Sequence, residues 1–86
     1  MLAHVKKRLR ISGDAYDDEV QALIFAAMAD LSRLGLTVDT TKPLIEQAIT
    51  LYCKAHFGYL GDEAEIFLRA YDKICVDLVI SSNAEE

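Results

Sequence analysis

Cys53 and His56 lie three positions apart in the stretch "YCKAHFGYLGDEAE". On a helix this spacing makes the two side chains neighbours, so they could ligate a metal or form a nucleophilic pair. A closed zinc site needs two more ligands, and the sequence offers only Cys75 and the distant His4, with Asp72 as a supporting carboxylate. A Cys/His nucleophile needs an orienting group and an oxyanion site, for which we find no residues. We therefore predict no metal site, no cofactor and no catalytic residue, and we interpret both cysteines as buried apolar side chains.

An acidic run, Asp17, Asp18 and Glu19, is the second candidate for chemistry. A calcium loop would require alternating acidic residues, a glycine at a fixed position and a closing glutamate, and this spacing is not present. Acidic residues in the first turn of a helix interact favourably with the positive end of its dipole. We interpret the run as the start of a helix, with either Asp14 or Asp17 as the N-cap.

A basic cluster near the amino terminus precedes this acidic run, and it consists of Lys6, Lys7, Arg8 and Arg10. Either it is a solvated helix face, or it contacts an acidic neighbour or DNA. The net charge of -5 opposes binding to a phosphate backbone. A helix-turn-helix regulator is disfavoured, because the connection "GLTVDTTKP" is too long for that motif and the helix after it is too apolar.

The composition is that of a folded protein, with 52% hydrophobic and 27% charged residues in 86 positions. We expect a single domain over residues 1–86 with a small core. Two cysteines without a Cys-x-x-Cys pair, and the lack of a cleavable apolar leader, predict a reduced, intracellular location. No apolar run approaches the roughly 20 residues needed to span a bilayer, so we expect no membrane contact.

Helical spacing of apolar residues predicts four helices and no strand. The first runs from Leu2 to Leu9, and the second continues the spacing from Val20 until Gly35 ends it. The predicted fold is all-α, a small bundle of four helices with a long loop over residues 36–42 between helices two and three.

The third helix starts near Pro43, is apolar on more than one side, and is predicted to be central. Gly58 is expected to end it, and Asp62 with Glu65 has the spacing of a capping box that starts the fourth. The apolar spacing of the fourth helix ends at Leu78, and we predict a flexible acidic tail over residues 79–86.

Five aromatic residues surround the junction of the last two helices: Tyr52, Phe57, Tyr59, Phe67 and Tyr71. Most are expected in the core. Tyr59, in the predicted turn, is expected to be exposed, as aromatic residues at protein interfaces often are.

Three segments resemble the small all-helical head-tail connector proteins of tailed phages, also known as adaptor or head-completion proteins and often described as phage DNA-packaging proteins. They are "VKKRLRISGDAYDDEVQALIFAAMADLSRLG", "IEQAITLYCKAHFGY" and "EAEIFLRAYDKICVDL". The middle segment is the most specific, because a run of the form "AI-x-LY-x-K-x-x-FGY" at the end of a helix does not follow from amphipathicity alone.

The resemblance implies a non-enzymatic virion protein, made in the bacterial cytoplasm, that forms a homo-oligomeric ring at the portal vertex. Its implied partners are the portal protein and the next connector or tail-completion protein, and DNA would pass through the channel without specific binding. We hypothesise a subunit interface between the basic first helix and the acidic start of the second, formed by Lys6, Lys7, Arg8, Arg10, Asp17, Asp18, Glu19 and Tyr59. The alternative is a small helical binding module or DNA-binding regulator of a bacterial host.

Overall fold

The computed structural model describes residues 1–57 and 63–85 of the chain, with side chains described up to Ser81. Its elements are four α-helices and no strand within those residues: α1 (Leu2–Leu9), α2 (Asp17–Arg33), α3 (Pro43–His56) and α4 (Ala64–Glu85). The prediction of an all-α fold with four helices is confirmed. A long connection separates α2 from α3, as expected.

Helix α1 ends at an arginine in the left-handed conformation, which the sequence did not indicate. Arg10 has φ 60° and ψ 39°. Its backbone N–H donates to the carbonyl of Lys7 (3.1 Å), and that of Ile11 donates to the carbonyl of Lys6 (2.9 Å). This pair of bonds is a Schellman motif, in which glycine is the usual left-handed residue. A residue with a Cβ adopts this conformation at a cost of about 1 kcal/mol.

Helix α2 begins without a side-chain cap. The predicted cap at Asp14 or Asp17 is wrong, because Tyr16 is the N-cap residue and makes no side-chain hydrogen bond to the helix. Asp14 instead contributes its backbone carbonyl, which accepts from the N–H of Asp17 (3.2 Å). The acidic run does occupy the first turn, as predicted.

Gly35 ends α2, as the sequence predicted. It has φ +86°, and its N–H donates to the carbonyl of Ser32 (2.9 Å). The N–H of Leu36 donates to the carbonyl of Leu31 (3.2 Å), which completes a second Schellman motif. Leu36 is buried, so this turn delivers the chain back to the core.

Replacing Gly35 with alanine should lower the free energy of unfolding by about 1 to 2 kcal/mol, measured by urea denaturation. A Cβ built at this position meets no atom within 4 Å, so the loss would come from the left-handed backbone alone. D-alanine, introduced by chemical synthesis, is the matched control, because it favours positive φ and should cost nothing. Equal stability of the L-alanine and D-alanine proteins would contradict this account.

Helix α3 lies at the centre of the fold, as predicted. It packs against α4, α2 and α1. Its buried residues include Ile45, Ala48, Ile49 and Cys53. They meet Val20, Ile24, Ala27 and Leu31 of α2 and Val5 and Leu9 of α1 in one apolar cluster.

Helix α4 is longer than the apolar spacing predicted, since it continues through Glu85. Ile74, Leu78 and Val79 are half-buried against the core, so packing contacts extend past the predicted end. Segment 79–85, expected as a tail, is therefore helical. The predicted terminator Gly58 and the capping residue Asp62 lie outside the described residues.

Candidate assembly surface

Both cysteines are packing residues, as predicted. Cys53 is fully buried and Cys75 nearly so, and both are free thiols. Burial raises the pKa of Cys53 to about 12 and also raises the pKa of Cys75. The thiolate is the form that attacks electrophiles and binds metals. These neutral thiols are therefore unsuited to either role.

The two histidines contact different partners, and neither contact involves a cysteine. His56 is exposed, and its ring packs against Tyr52 with 4.2 Å between ring centroids. His4 places Nε2 2.9 Å from Oε1 of Glu46. Within residues 1–57 and 63–81, no cluster of three or more His, Cys, Asp or Glu side chains is arranged to hold a metal.

Two residues of the hypothesised interface, Lys6 and Asp17, form an ion pair with each other within one subunit. Lys6 Nζ lies 2.6 Å from Oδ1 of Asp17 and also donates to the backbone carbonyl of Gly13. Both charged side chains are partly buried, so solvent screens them less than a surface pair. This contact ties the end of α1 to the start of α2. Lys6 and Asp17 are thus already engaged in the folded subunit.

The other basic residues of the cluster are exposed, namely Lys7, Arg8 and Arg10. Arg8 and Arg10 line a shallow groove of about 300 Å³ together with Leu9, Lys54, Glu63 and Phe67. Lys54 also places Nζ 5.3 Å from the centroid of the Phe67 ring, a cation–π contact. Among the described residues that line this groove, three side chains are cationic and one is acidic, and we call it the basic groove. Sequence reasoning missed Lys54, which comes from a different helix.

The acidic residues Asp18 and Glu19 are exposed at the start of α2. The basic groove is lined from α1 and the residue after it, from α3, and from the first turn of α4 and the residue before it, and by no residue of α2. The subunit therefore carries two surface patches of opposite charge that share no residue.

Of the four described residues of the aromatic set, two lie in the core and Tyr52 packs against it. Phe57 and Tyr71 are buried, and Tyr52 and Phe67 are half-buried. Tyr16 contacts Phe57 edge to face at 5.7 Å, and Tyr52 contacts Tyr71 in the same way at 5.4 Å. Tyr59 lies outside the described residues, so its predicted exposure stays a prediction.

A hydrogen bond between Tyr71 and Asp30 joins α4 to α2. The hydroxyl of Tyr71 donates to Oδ2 of Asp30 at 2.6 Å, and Arg33 pairs with Oδ1 at 2.7 Å. The bonds from Tyr71 and then from Arg33 lower the pKa of Asp30. Burial, and after it the bond to Asp30, raises the pKa of Tyr71 above its usual range. The sequence analysis did not identify this pair. Asp30, an acidic residue within the apolar pattern of α2, was the feature that could have indicated it.

Several large apolar side chains are exposed on the described surface, among them Phe25 (63%), Ile66 (65%), Val76 (57%) and Ile80 (61%). The sequence analysis placed Ile66 in the apolar spacing of the fourth helix, although it is exposed, and did not single out the other three. Phe25 could have been noticed, since it falls outside the periodic apolar set of α2. Exposed apolar patches on a small domain are typical of interaction surfaces.

The protein has a compact helical fold, buried and neutral thiols, and an exterior that is both charged and apolar. These features define a small assembly module. Among protein families, the phage connector proteins match residues 1–85. The chain belongs to this phage connector protein family, which confirms the resemblance predicted from the sequence. It is accordingly a virion component that associates with other phage virion proteins. No curated protein and no solved structure matches the chain significantly.

None of the helices, over the residues described, combines the length and apolar character required to cross a membrane.

Proposed function

We propose that this protein is a non-enzymatic structural subunit that forms a closed ring at the portal vertex. The ring joins the DNA-filled head to the tail and extends the DNA channel. Its partners are further copies of itself, the portal protein, and the next connector or tail-completion protein. The subunit is made in the bacterial cytoplasm and incorporated into the virion. The observation that carries the proposal is the family match over residues 1–85.

Head-to-tail assembly is consistent with the charge distribution of the subunit. A contact between two different patches, repeated with a rotation that closes, generates a ring. The basic groove and the exposed acids Asp18 and Glu19 are two such patches of opposite sign. An 86-residue domain with a small core also gains stability by mass action from each neighbour it binds.

The ring is proposed to let DNA pass without specific binding. The subunit carries a net charge of -5, and affinity for DNA comes mainly from cations that neutralise phosphates. The basic groove is occupied in the ring by acidic side chains of the neighbour, so its cations are withdrawn from DNA.

Within this interface, Lys7, Arg8 and Arg10 of one subunit lie beside the acidic start of α2 of the next, with Glu19 on the groove and Asp18 next to it. Lys6 and Asp17 act from inside the subunit, because their ion pair fixes α1 relative to α2. Tyr59 is proposed to lie at the same boundary.

Reversing the charge of the groove should abolish ring formation while the subunit stays folded. In the double variant Arg8→Glu/Arg10→Glu, the groove would repel the acidic side chains of the neighbouring subunit. Like charges placed opposite each other in an interface cost several kcal/mol. The molar mass of assemblies, with and without portal, is measured by light scattering after size exclusion. Circular dichroism checks the fold. Unchanged rings would contradict the proposed interface.

A compensating variant provides the control. Adding Glu19→Arg to the double reversal restores an attractive pair across the boundary, so assembly should partly return. Glu19→Arg alone should weaken assembly. If the wild-type chain instead forms a dimer with salt-dependent affinity for DNA, the regulator alternative would replace the connector function.

A further inference from the structure

Helix α4 carries an unpartnered stripe on its outer side. Ile66, Arg69, Lys73, Val76 and Ile80 recur at spacings of three, four, three and four, and all are exposed. This spacing places them on one face of the helix. The opposite face holds Tyr71 and Cys75, buried against the core. We call these five residues the α4 stripe. It is apolar at both ends and basic in the middle.

Helix α2 carries a second stripe, formed by Asp18, Ala22, Phe25 and Ala29, and all four residues are exposed. The buried face of α2, with Ile24, Ala27 and Leu31, lies on the other side. The α2 stripe is acidic at its start and presents one large ring, 63% exposed, between two alanines. Small residues beside a large one leave space for a facing helix to approach closely.

The two stripes match in spacing and in charge. Asp18 and Phe25 are seven residues apart, or about 10.5 Å along the helix, as are Arg69 and Val76. In a parallel alignment, Asp18 faces Arg69 while Phe25 faces Val76. Arg69 already pairs with Glu65 at 2.7 Å, but both side chains are largely exposed and the guanidinium retains free donors.

This alignment also agrees with the charged interface. Phe67 and Glu63, next to the start of the α4 stripe, line the basic groove. Glu19 lies about 100° around α2 from Asp18. When Asp18 contacts Arg69 of the next subunit, the adjacent Glu19 can contact the cationic side chains of the basic groove.

We propose that the α2 stripe of one subunit packs along the α4 stripe of the next. The occupant is a second copy of this chain, because a single chain carries both stripes with complementary charge and equal spacing. The inference rests on the ring assembly proposed above and identifies its apolar contact. Since the stripes differ, the contact is heterologous, and every subunit in a ring uses both. Interfaces of standard size bury roughly 800 Å² per partner, so a subunit that uses both stripes would bury about 1600 Å² of its 5684 Å² surface.

Two single variants test the contact. Phe25→Glu damages only the α2 stripe, and Val76→Glu damages only the α4 stripe. Each variant alone should be unable to form rings. Leu44→Glu is the matched control, because Leu44 is 52% exposed on α3 and lies on neither stripe. It should assemble like the wild-type chain.

Mixing the two variants gives the sharper result. The intact α2 stripe of Val76→Glu can dock on the intact α4 stripe of Phe25→Glu, but no further subunit can add. Native mass spectrometry of the mixture should show a one-to-one dimer at twice the 9.6 kDa subunit mass. Absence of that dimer, or a dimer of either variant with itself, would overturn the proposal.

The wild-type control separates this contact from the proposed function. Rings that persist in Phe25→Glu would overturn the stripe contact and leave the ring function standing. Open head-to-tail chains of the wild type that are lost in both variants would support the contact and refute the closed ring. A wild-type chain that stays monomeric at high concentration, with portal present, would overturn both.

Discussion

Replacing Ile49 with alanine should lower the free energy of unfolding by about 2 to 5 kcal/mol. Ile49 is fully buried at the centre of α3, where α2 and α4 also pack. Removing its outer carbons loses their burial and leaves a cavity that the surrounding helices fill only in part. A domain of this size has a total stability of roughly 4 to 13 kcal/mol. The expected loss is therefore a substantial part of the total stability, and at the lower end of that range it is most of it.

Urea denaturation measures the loss directly, and thiol labelling provides a second readout. Cys53 is fully buried, so it should react with an alkylating reagent only when the core opens. Its labelling rate should rise in Ile49→Ala in proportion to the population of the open state. Leu44→Ala, on the same helix but 52% exposed, is the control and should change stability by less than about 0.5 kcal/mol. Equal effects of the two substitutions would contradict the burial of Ile49 in the core.

Replacing Tyr71 with phenylalanine should destabilise the protein by about 1.5 kcal/mol, since it removes a hydrogen bond to a charged acceptor. The ring contact with Tyr52 is preserved, while the hydroxyl's hydrogen bond to Asp30 and its interaction with the thiol of Cys75 are lost. Tyr16→Phe is the matched control, because Tyr16 is 48% exposed and its ring contact with Phe57 is also kept. Chemical denaturation of both variants at neutral pH makes the comparison. Similar losses would show that the hydroxyl of Tyr71 has no special role.

The same substitution should change how stability depends on pH. The folded pKa of Asp30 lies below its ordinary value of 3.8, so its contribution is present above that pH and is lost as the pH falls through the lower, folded pKa. The folded pKa of Tyr71 lies above 10.0, so its contribution is complete below pH 10 and declines as the pH rises further. Tyr71→Phe should reduce the alkaline decline, to which the buried thiols of Cys53 and Cys75 also contribute because their pKa values are raised. It should also reduce the acidic decline, which Arg33 would partly maintain. An unchanged pH profile would contradict this assignment.

Local signals in the sequence were enough to predict α2 and its end. The helical spacing of apolar residues in α2 and the positive φ of Gly35 depend only on residues that are close in sequence. The predicted N-cap of α2 was wrong because of a tertiary contact. The carboxylate of Asp17 forms an ion pair with Lys6 of α1. The length of α4 was underestimated because Val79 gains its contacts from the core and not from its neighbours in sequence.

The candidate surface was predicted only where charge was concentrated along the chain. The basic and acidic runs are visible in the sequence, but the contribution of Lys54 to the groove arises when α3 passes beside α1. The pair Cys53 and His56 shows the reverse case. Their spacing suggested a joint site, yet one residue lies in the core and the other on the surface.

Arg10 holds a backbone conformation in which glycine would be more stable by about 1 kcal/mol. Directed evolution that rewards only the thermal tolerance of the free subunit should therefore replace it with glycine. Arginine at this position is instead what we expect when selection acts on the finished particle, where we propose that the guanidinium contacts the neighbouring subunit. Replacing Arg10 should therefore affect the infectivity of the phage more than the melting temperature of the subunit.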